Sequence, residues 1–276
     1  SWQPSLLGHH LLGPAWPLWR ARLRLADARR RVDASPLGAC ALSGTGLPID
    51  RQRTAELLGF AGLVENALDA VASRDHAQEV AAVCAIAMTH FSRMAAELVL
   101  WSSAEFHFVA IDQAYATGSS IMPQKRNPDS AELVRGKAAR VYGDLITLLT
   151  LTKGLPLAYN RDLQEDRRPL FDAVETATSS ATILAGVWRT LAVDGGRFDS
   201  ELVGDDSLAT DLADAMVGIG VPFRQAHERV GALLQTLESE GRRMDTIDMA
   251  DLQEHAIDIP DELFADLLDP EVVAVV

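Results

Sequence analysis

The chain has 276 residues, a formal net charge of −14 and 48% apolar residues. The length suits one large domain or two ordinary ones, and so apolar a composition supports a sizeable core. The acidic balance argues against nucleic acid or an anionic membrane surface as partner.

No apolar run is long and clean enough to be read as a bilayer span. Ser1-Trp2-Gln3-Pro4 lacks the basic head and apolar stretch of a signal peptide and has no initiator Met, as expected of a processed product or a fragment. Cys40 and Cys84 are too few for a disulfide framework and lack metal-ligand spacing. Both read as small buried hydrophobes in a reducing, cytoplasmic setting.

Abundant Ala and Leu with few strand formers predict an all-α fold. Leu6 to Arg31 is helix-rich, but Gly13-Pro14-Ala15-Trp16-Pro17 places two prolines in the pattern, which predicts a kink or break. Ser35 to Ile49, rich in Gly and Pro, reads as a long connection. His76 to Trp101 carries an apolar stripe at Val80, Val83, Ala87, Phe91, Met94, Leu98 and Trp101. A second long helix is predicted from Pro128 to about Lys153, with Leu133, Val141, Leu145, Leu148 and Leu149 on one face. A third runs from near Asp166, with Pro169 tolerated in its first turn, to about Leu191; its stripe is Leu170, Val174, Ala177, Ala181, Leu184 and Trp188. Three such faces in one chain predict a bundle that associates with its own copies. Gly195-Gly196 marks a boundary, giving a bundle domain over residues 1–196 and a small acidic helical domain over 197–276. In the latter, helices are expected over Ala209–Gly218, Pro222–Glu240 and Met249–His255.

The most informative stretch is Thr117-Gly-Ser-Ser-Ile-Met-Pro-Gln-Lys-Arg-Asn-Pro-Asp129. It places the paired hydroxyls of Ser119 and Ser120 on a turn, followed by Lys125, Asn127 and a helix-opening Pro128. A Ser hydroxyl is a poor base unless its alkoxide is stabilised, which turn N–H groups and a nearby Lys can do. Lys125 and Asn127 can also hold a carboxylate as charge builds on it. By residue type alone, a helix-capping loop with a solvated Lys accounts for the pattern equally well. Glu132, one turn into the helix, suits the helix dipole and is also an ordinary solvated first-turn Glu. Tyr159, Gln164 and Arg167 form a second cluster able to grip a polar ligand, or a solvated surface group. The histidines are scattered, and adjacent His9-His10 point about 100° apart on a helix, so no metal site is expected.

These residues resemble the fumarase/aspartase superfamily, whose signature loop Gly118–Asp129 matches. Met-Pro-Gln-Lys-x-Asn-Pro-Asp within it is the form typical of argininosuccinate lyase. Ser35–Gly38, Pro48–Asp50, Leu100–Ser103, Gly154–Asn160, Asp162–Asp166, Ala209–Asp214, Gly220–Arg224 and Ala226–Glu228 resemble that family too. The resemblance implies anti-elimination of argininosuccinate to arginine and fumarate without metal or organic cofactor. Carried over by position, Ser119 is the base and Lys125 and Asn127 stabilise the aci-carboxylate, with Ser120 beside them. Glu132 pairs with a catalytic His, and Tyr159, Gln164 and Arg167 hold the arginine part. It also implies a homotetramer, each site drawing on three subunits.

The departures matter. The family's acid-paired His lies just before the residues matched by Gln3-Pro4, and its Ser-Arg-Asn motif has no counterpart in this sequence. Arg167 replaces the usual Lys, which keeps the charge and changes reach and geometry. The chain is therefore expected to be incomplete alone, with an assembly partner supplying the N-terminal part. The alternative is a non-catalytic, degenerate lyase paralogue acting as a structural or interaction subunit. An adenylosuccinate-type lyase is disfavoured by Gln124, where those enzymes carry His.

Overall fold

The computed structural model describes residues 6–118, 126–202, 208–260 and 263–264. Its helices are α1 (Leu7–Leu12), α2 (Ala15–Val32), α3 (Arg51–Leu58), α4 (Ala67–Ala72), α5 (Asp75–Trp101), α6 (Asp129–Thr152) and α7 (Arg167–Thr190). They continue as α8 (Gly195–Leu202), α9 (Leu208–Gly218), α10 (Phe223–Glu240) and α11 (Met249–Glu254). The fold is all-α, with strand pairing limited to two-residue pieces. Contacts group residues 14–192 into one compact unit, and residues 193–276 with 1–13 into another.

In the larger unit α5, α6 and α7 pack on one another, and α2 lies against α5. Cross-links set the directions. The Gln78 amide donates to the Leu148 carbonyl at 3.2 Å and to Thr152 Oγ1 at 2.8 Å, while Thr89 Oγ1 meets Tyr142 Oη at 2.8 Å. Rising positions on α5 thus meet falling positions on α6, an antiparallel pair. Arg140 of α6 ion-pairs with Asp172 of α7. Asp144, one turn along from Arg140, has a buried Oδ2 with no hydrogen-bond partner. Burial first, then the Asp172 charge, pushes its carboxyl up to about 6. Asp172 is held low, chiefly by its hydrogen bond from Arg140.

The core contains Met88, Leu98, Val141, Leu148 and Val187, all fully enclosed. Each large apolar side chain so buried contributes roughly 1.5–3 kcal/mol. Leu98→Ala would cost about 2–5 kcal/mol through the cavity it leaves. On α7 the inward residues are Pro169, Ala173, Thr176, Ala177, Ser180, Leu184 and Val187. The expected stripe is therefore only partly inward: Ala177 and Leu184 are buried, but Val174 is 38% exposed. Likewise Leu133 and Leu149 of α6 are 63% and 46% exposed within the chain. Small residues line the contacts within the chain and let the helices approach, so the larger ones point out.

The break in the first helical segment falls at Gly13-Pro14, with Pro14 capping α2. Pro17 interrupts nothing, because the first turn of a helix has no N–H to lose there. The glycines at 195 and 196 open α8. α3 and α4 were not expected. Their caps are local: Asp50 accepts from the Arg53 N–H at 2.8 Å, and Asn66 from those of Leu68 and Asp69. Cys40 is exposed, contrary to expectation, while Cys84 is buried. α5 is also long and apolar enough to cross a membrane, against the reading of the sequence. Here it forms the middle of the bundle, where Met88, Phe91, Ala95 and Leu98 pack in the core while Ile86 and Leu100 are exposed.

The smaller unit has its own core of Leu212, Met216, Leu233, Met244 and Leu252 from α9, α10, α11 and their connections. A capping box at Asp248 and Asp251 starts α11, and the Arg242 guanidinium binds both Asp251 oxygens at 2.8 and 2.6 Å.

Candidate active site

The signature loop is closed at its base. Thr117–Gly118 and Arg126–Asn127 pair as antiparallel strands, with Thr117 opposite Asn127 and Gly118 opposite Arg126. Ser119, Ser120 and Lys125 lie outside the described residues. The ribbon pairs the residues on either side of the segment that carries them, directly before α6. Thr117 Oγ1 hydrogen-bonds the Asp129 carboxylate, and Ser130 Oγ donates to the Tyr115 carbonyl at 2.7 Å. Tyr115 in turn lies against Gly186 of α7, where an added Cβ would come within 2.1 Å of the phenol oxygen. The loop's neck is thus tied to the first turn of α6 and the last turn of α7. Asn127 is half-buried in the ribbon, and Glu132 is exposed on the first turn of α6, where the positive helix end favours a carboxylate.

The second cluster forms where α6 gives way to α7. A 3-10 turn, Arg161–Asp166, carries Gln164, and Arg167 is the first residue of α7. The Gln164 amide donates to Tyr159 Oη at 3.2 Å. The three side chains are exposed, Tyr159 by 52%. Below them Arg74, at the start of α5, forms a shielded ion pair with Asp166 and donates to the Ser73 carbonyl at 2.7 Å. This support was not foreseen; Arg74 is far from Asp166 in sequence, and no local pattern marks it.

The two clusters are not brought together within the chain. Asn127 and Glu132 lie at the start of α6, and Tyr159, Gln164 and Arg167 follow its end. The 24 residues of α6 span about 36 Å at 1.5 Å per residue. Among the described residues no group of three or more His, Cys, Asp or Glu side chains could hold a metal.

An antiparallel helical bundle, with a two-stranded ribbon directly before its long helix α6, is the setting of the sequence motif. Residues 2–143 match the family model described as Lyase, and the chain belongs to that family, within the fumarase/aspartase superfamily. Inside it the chain falls with the argininosuccinate lyases: residues 206–274 match the model described as argininosuccinate lyase C-terminal. The argininosuccinate lyase of Symbiobacterium thermophilum is 57% identical over 86% of this chain and 51% of its own length. An EDDS lyase solved with formate superposes with a TM-score of 0.86 at 36% identity, over 97% of this chain and 55% of that one. The class II fumarase of Schistosoma mansoni, at 18% identity and a TM-score of 0.80 over 98% of this chain and 59% of that one, shares the fold. The chain spans about half the length of the curated relatives it matches.

Proposed function

We propose that the chain carries the loop-bearing part of an argininosuccinate lyase, which splits argininosuccinate into arginine and fumarate. Ser119 takes the Cβ proton, and Lys125 and Asn127 stabilise the aci-carboxylate that forms. The C–N bond then breaks, the electron pair leaves with the guanidino nitrogen, and that nitrogen takes up a proton. Glu132 orients the proton-delivering His, which comes from outside residues 1–276. Tyr159, Gln164 and Arg167 hold the arginine part. The observation that supports the reading is the ribbon of Thr117–Gly118 and Arg126–Asn127, the residues that flank the Ser119–Lys125 segment, directly before α6. A variant of the similar EDDS lyase has been solved with fumarate, which fits a fumarate-releasing site.

The length of α6 supports a shared site. Since the two clusters lie before and after α6 and are not brought together in one chain, a complete site takes the loop from one copy and the Tyr159–Gln164–Arg167 cluster from another. A homotetramer supplies this, and the outward Leu133, Ile146, Leu149 and Phe171, 46–65% exposed, give it apolar faces to bury.

The test is fumarate release, followed by its ultraviolet absorbance, from the chain mixed with a chain bearing the missing N-terminal part. Turnover that vanishes with Ser119→Ala is expected. Turnover at the wild-type rate in that variant removes Ser119 as the base. No turnover in any mixture, together with co-assembly onto an intact lyase, would instead establish the non-catalytic subunit.

A further inference from the structure

Outside the lyase site, α2 stands out in an acidic chain: it carries Arg20, Arg22, Arg24, Arg29, Arg30 and Arg31 against the single acidic residue Asp27. Several of these are accounted for. Arg31 ion-pairs with Glu79 of α5, Arg30 with Asp27, and Arg22 lies over the Trp19 ring at 4.8 Å. Arg20, Arg24 and Arg29 are not. The Arg31–Glu79 pair anchors α2 antiparallel on α5. Arg20 lies as many residues back from Arg31 as His90 lies on from Glu79, which brings Arg20 level with His90. Arg24 is one turn towards the anchor on the same face of α2, and Arg93 is one turn beyond His90 on α5. Ala21 and Ala28 are buried beneath, so α2 sits close on α5.

By this register three guanidinium-bearing residues flank one half-buried imidazole, Arg20 level with it and Arg24 and Arg93 one turn to either side. Among the described residues no carboxylate ion-pairs with Arg20, Arg24 or Arg93. Like charges this close repel, and a folded chain rich in Asp and Glu would ordinarily intersperse them. The electrostatics agree: burial first, then Arg93, Arg20 and Arg24, hold the His90 imidazole below its usual range. The arginines are exposed and their forked donors suit tetrahedral oxyanions, while His90 adds a further N–H when protonated.

We propose that Arg20, Arg24, His90 and Arg93 form a binding site for a phosphate-class dianion at the α2–α5 seam, separate from the lyase loop. A dianion there replaces mutual repulsion with paired charge and cross-links α2 to α5. The ligand is either free phosphate or the phosphoryl group of a small metabolite.

The experiment titrates His90 by NMR with inorganic phosphate, with sodium chloride at matched ionic strength as the control. Phosphate should raise the His90 pKa by about 1 pH unit, as an adjacent opposite charge does, and chloride should leave it near its starting value. Arg20→Gln with Arg24→Gln should abolish the phosphate response. Arg29→Gln, on the same helix away from the cluster, should retain it. Circular dichroism establishes that each variant is folded. A phosphoryl metabolite that produces the shift at concentrations at least tenfold below phosphate identifies the bound form as the esterified one. Equal shifts with phosphate and chloride would reduce the effect to screening and overturn the site. So would a wild-type chain indifferent to phosphate whose Arg20→Gln/Arg24→Gln variant sediments as a smaller species, because the arginines would then face carboxylates of a second copy.

Discussion

Replacing Asp144 by Asn tests the electrostatics of the α6–α7 contact. The amide matches the shape of the protonated carboxyl and removes its charge. In the folded chain the carboxyl is pushed up to about 6, while the unfolded value is near 3.8. Between those values the folded state binds more protons than the unfolded one, so stability falls as pH rises. The contribution of protonated Asp144 is fully present below about pH 4 and is lost as pH climbs through about 6. At 1.36 kcal/mol per pH unit the whole shift is worth roughly 3 kcal/mol. Asp144 is only half-buried, and solvent screening brings this nearer about 1 kcal/mol. Asp144→Asn should therefore match the wild type at pH 4.5. At pH 7.5 it should be more stable by about 1 kcal/mol, a gain of roughly 2–4 °C in melting temperature for a domain of this size. Thermal unfolding of both proteins across pH 4–8 measures it. A difference that stays flat with pH, or a variant less stable at pH 7.5, would refute the buried-charge reasoning.

Gly186→Ala forces Tyr115 aside and should cost about 1–3 kcal/mol by overpacking; because Tyr115 braces the loop neck, lyase turnover of the assembled enzyme should fall more than the melting temperature alone accounts for. Arg74→Met leaves Asp166 as a shielded unpaired carboxylate, and should raise KM more than it lowers kcat, since it loosens the Gln164–Arg167 support and not the base. Asp251→Asn breaks the capping box and the Arg242 pair, and should destabilise the smaller unit by about 1 kcal/mol at neutral pH. Its carboxyl is held low chiefly by the Arg242 hydrogen bond. That contribution is present above about pH 4 and is lost as pH falls through the lowered value, so the variant and wild type should converge in acid.

The long helices were legible because their apolar residues recur at helical spacing over many turns. Which of those residues face inward was not, because periodicity weighs side chains by size. The Ala173, Thr176 and Ser180 contacts of α7 are small and partly polar, while Val174 and Phe171 look outward. α3 and α4 had signals in Asp50, Asn66 and the left-handed Gly59, but helices of eight and six residues have too few turns to show a stripe. In the candidate site, residue types left the Ser-Ser loop open between a base and a helix-capping loop, and the roles proposed for it come from resemblance. The neck ribbon, the Tyr115–Gly186 contact and the Arg74–Asp166 support join residues distant in sequence and carry no local signature. The Arg20–Arg24–His90–Arg93 grouping is of the same kind: α2 and α5 had to be laid side by side before it existed.

The length of α6 has a consequence for how such a chain can change over time. With one candidate cluster before it and one after it, the helix acts as a ruler. Substitutions along its outer face leave the gauge unchanged, but a single inserted or deleted residue turns everything downstream by about 100° and slides it by about 1.5 Å. Tolerance to insertion should therefore differ sharply along the chain: high in the irregular stretch between Pro36 and Asp50, and close to zero from Asp129 to Thr152.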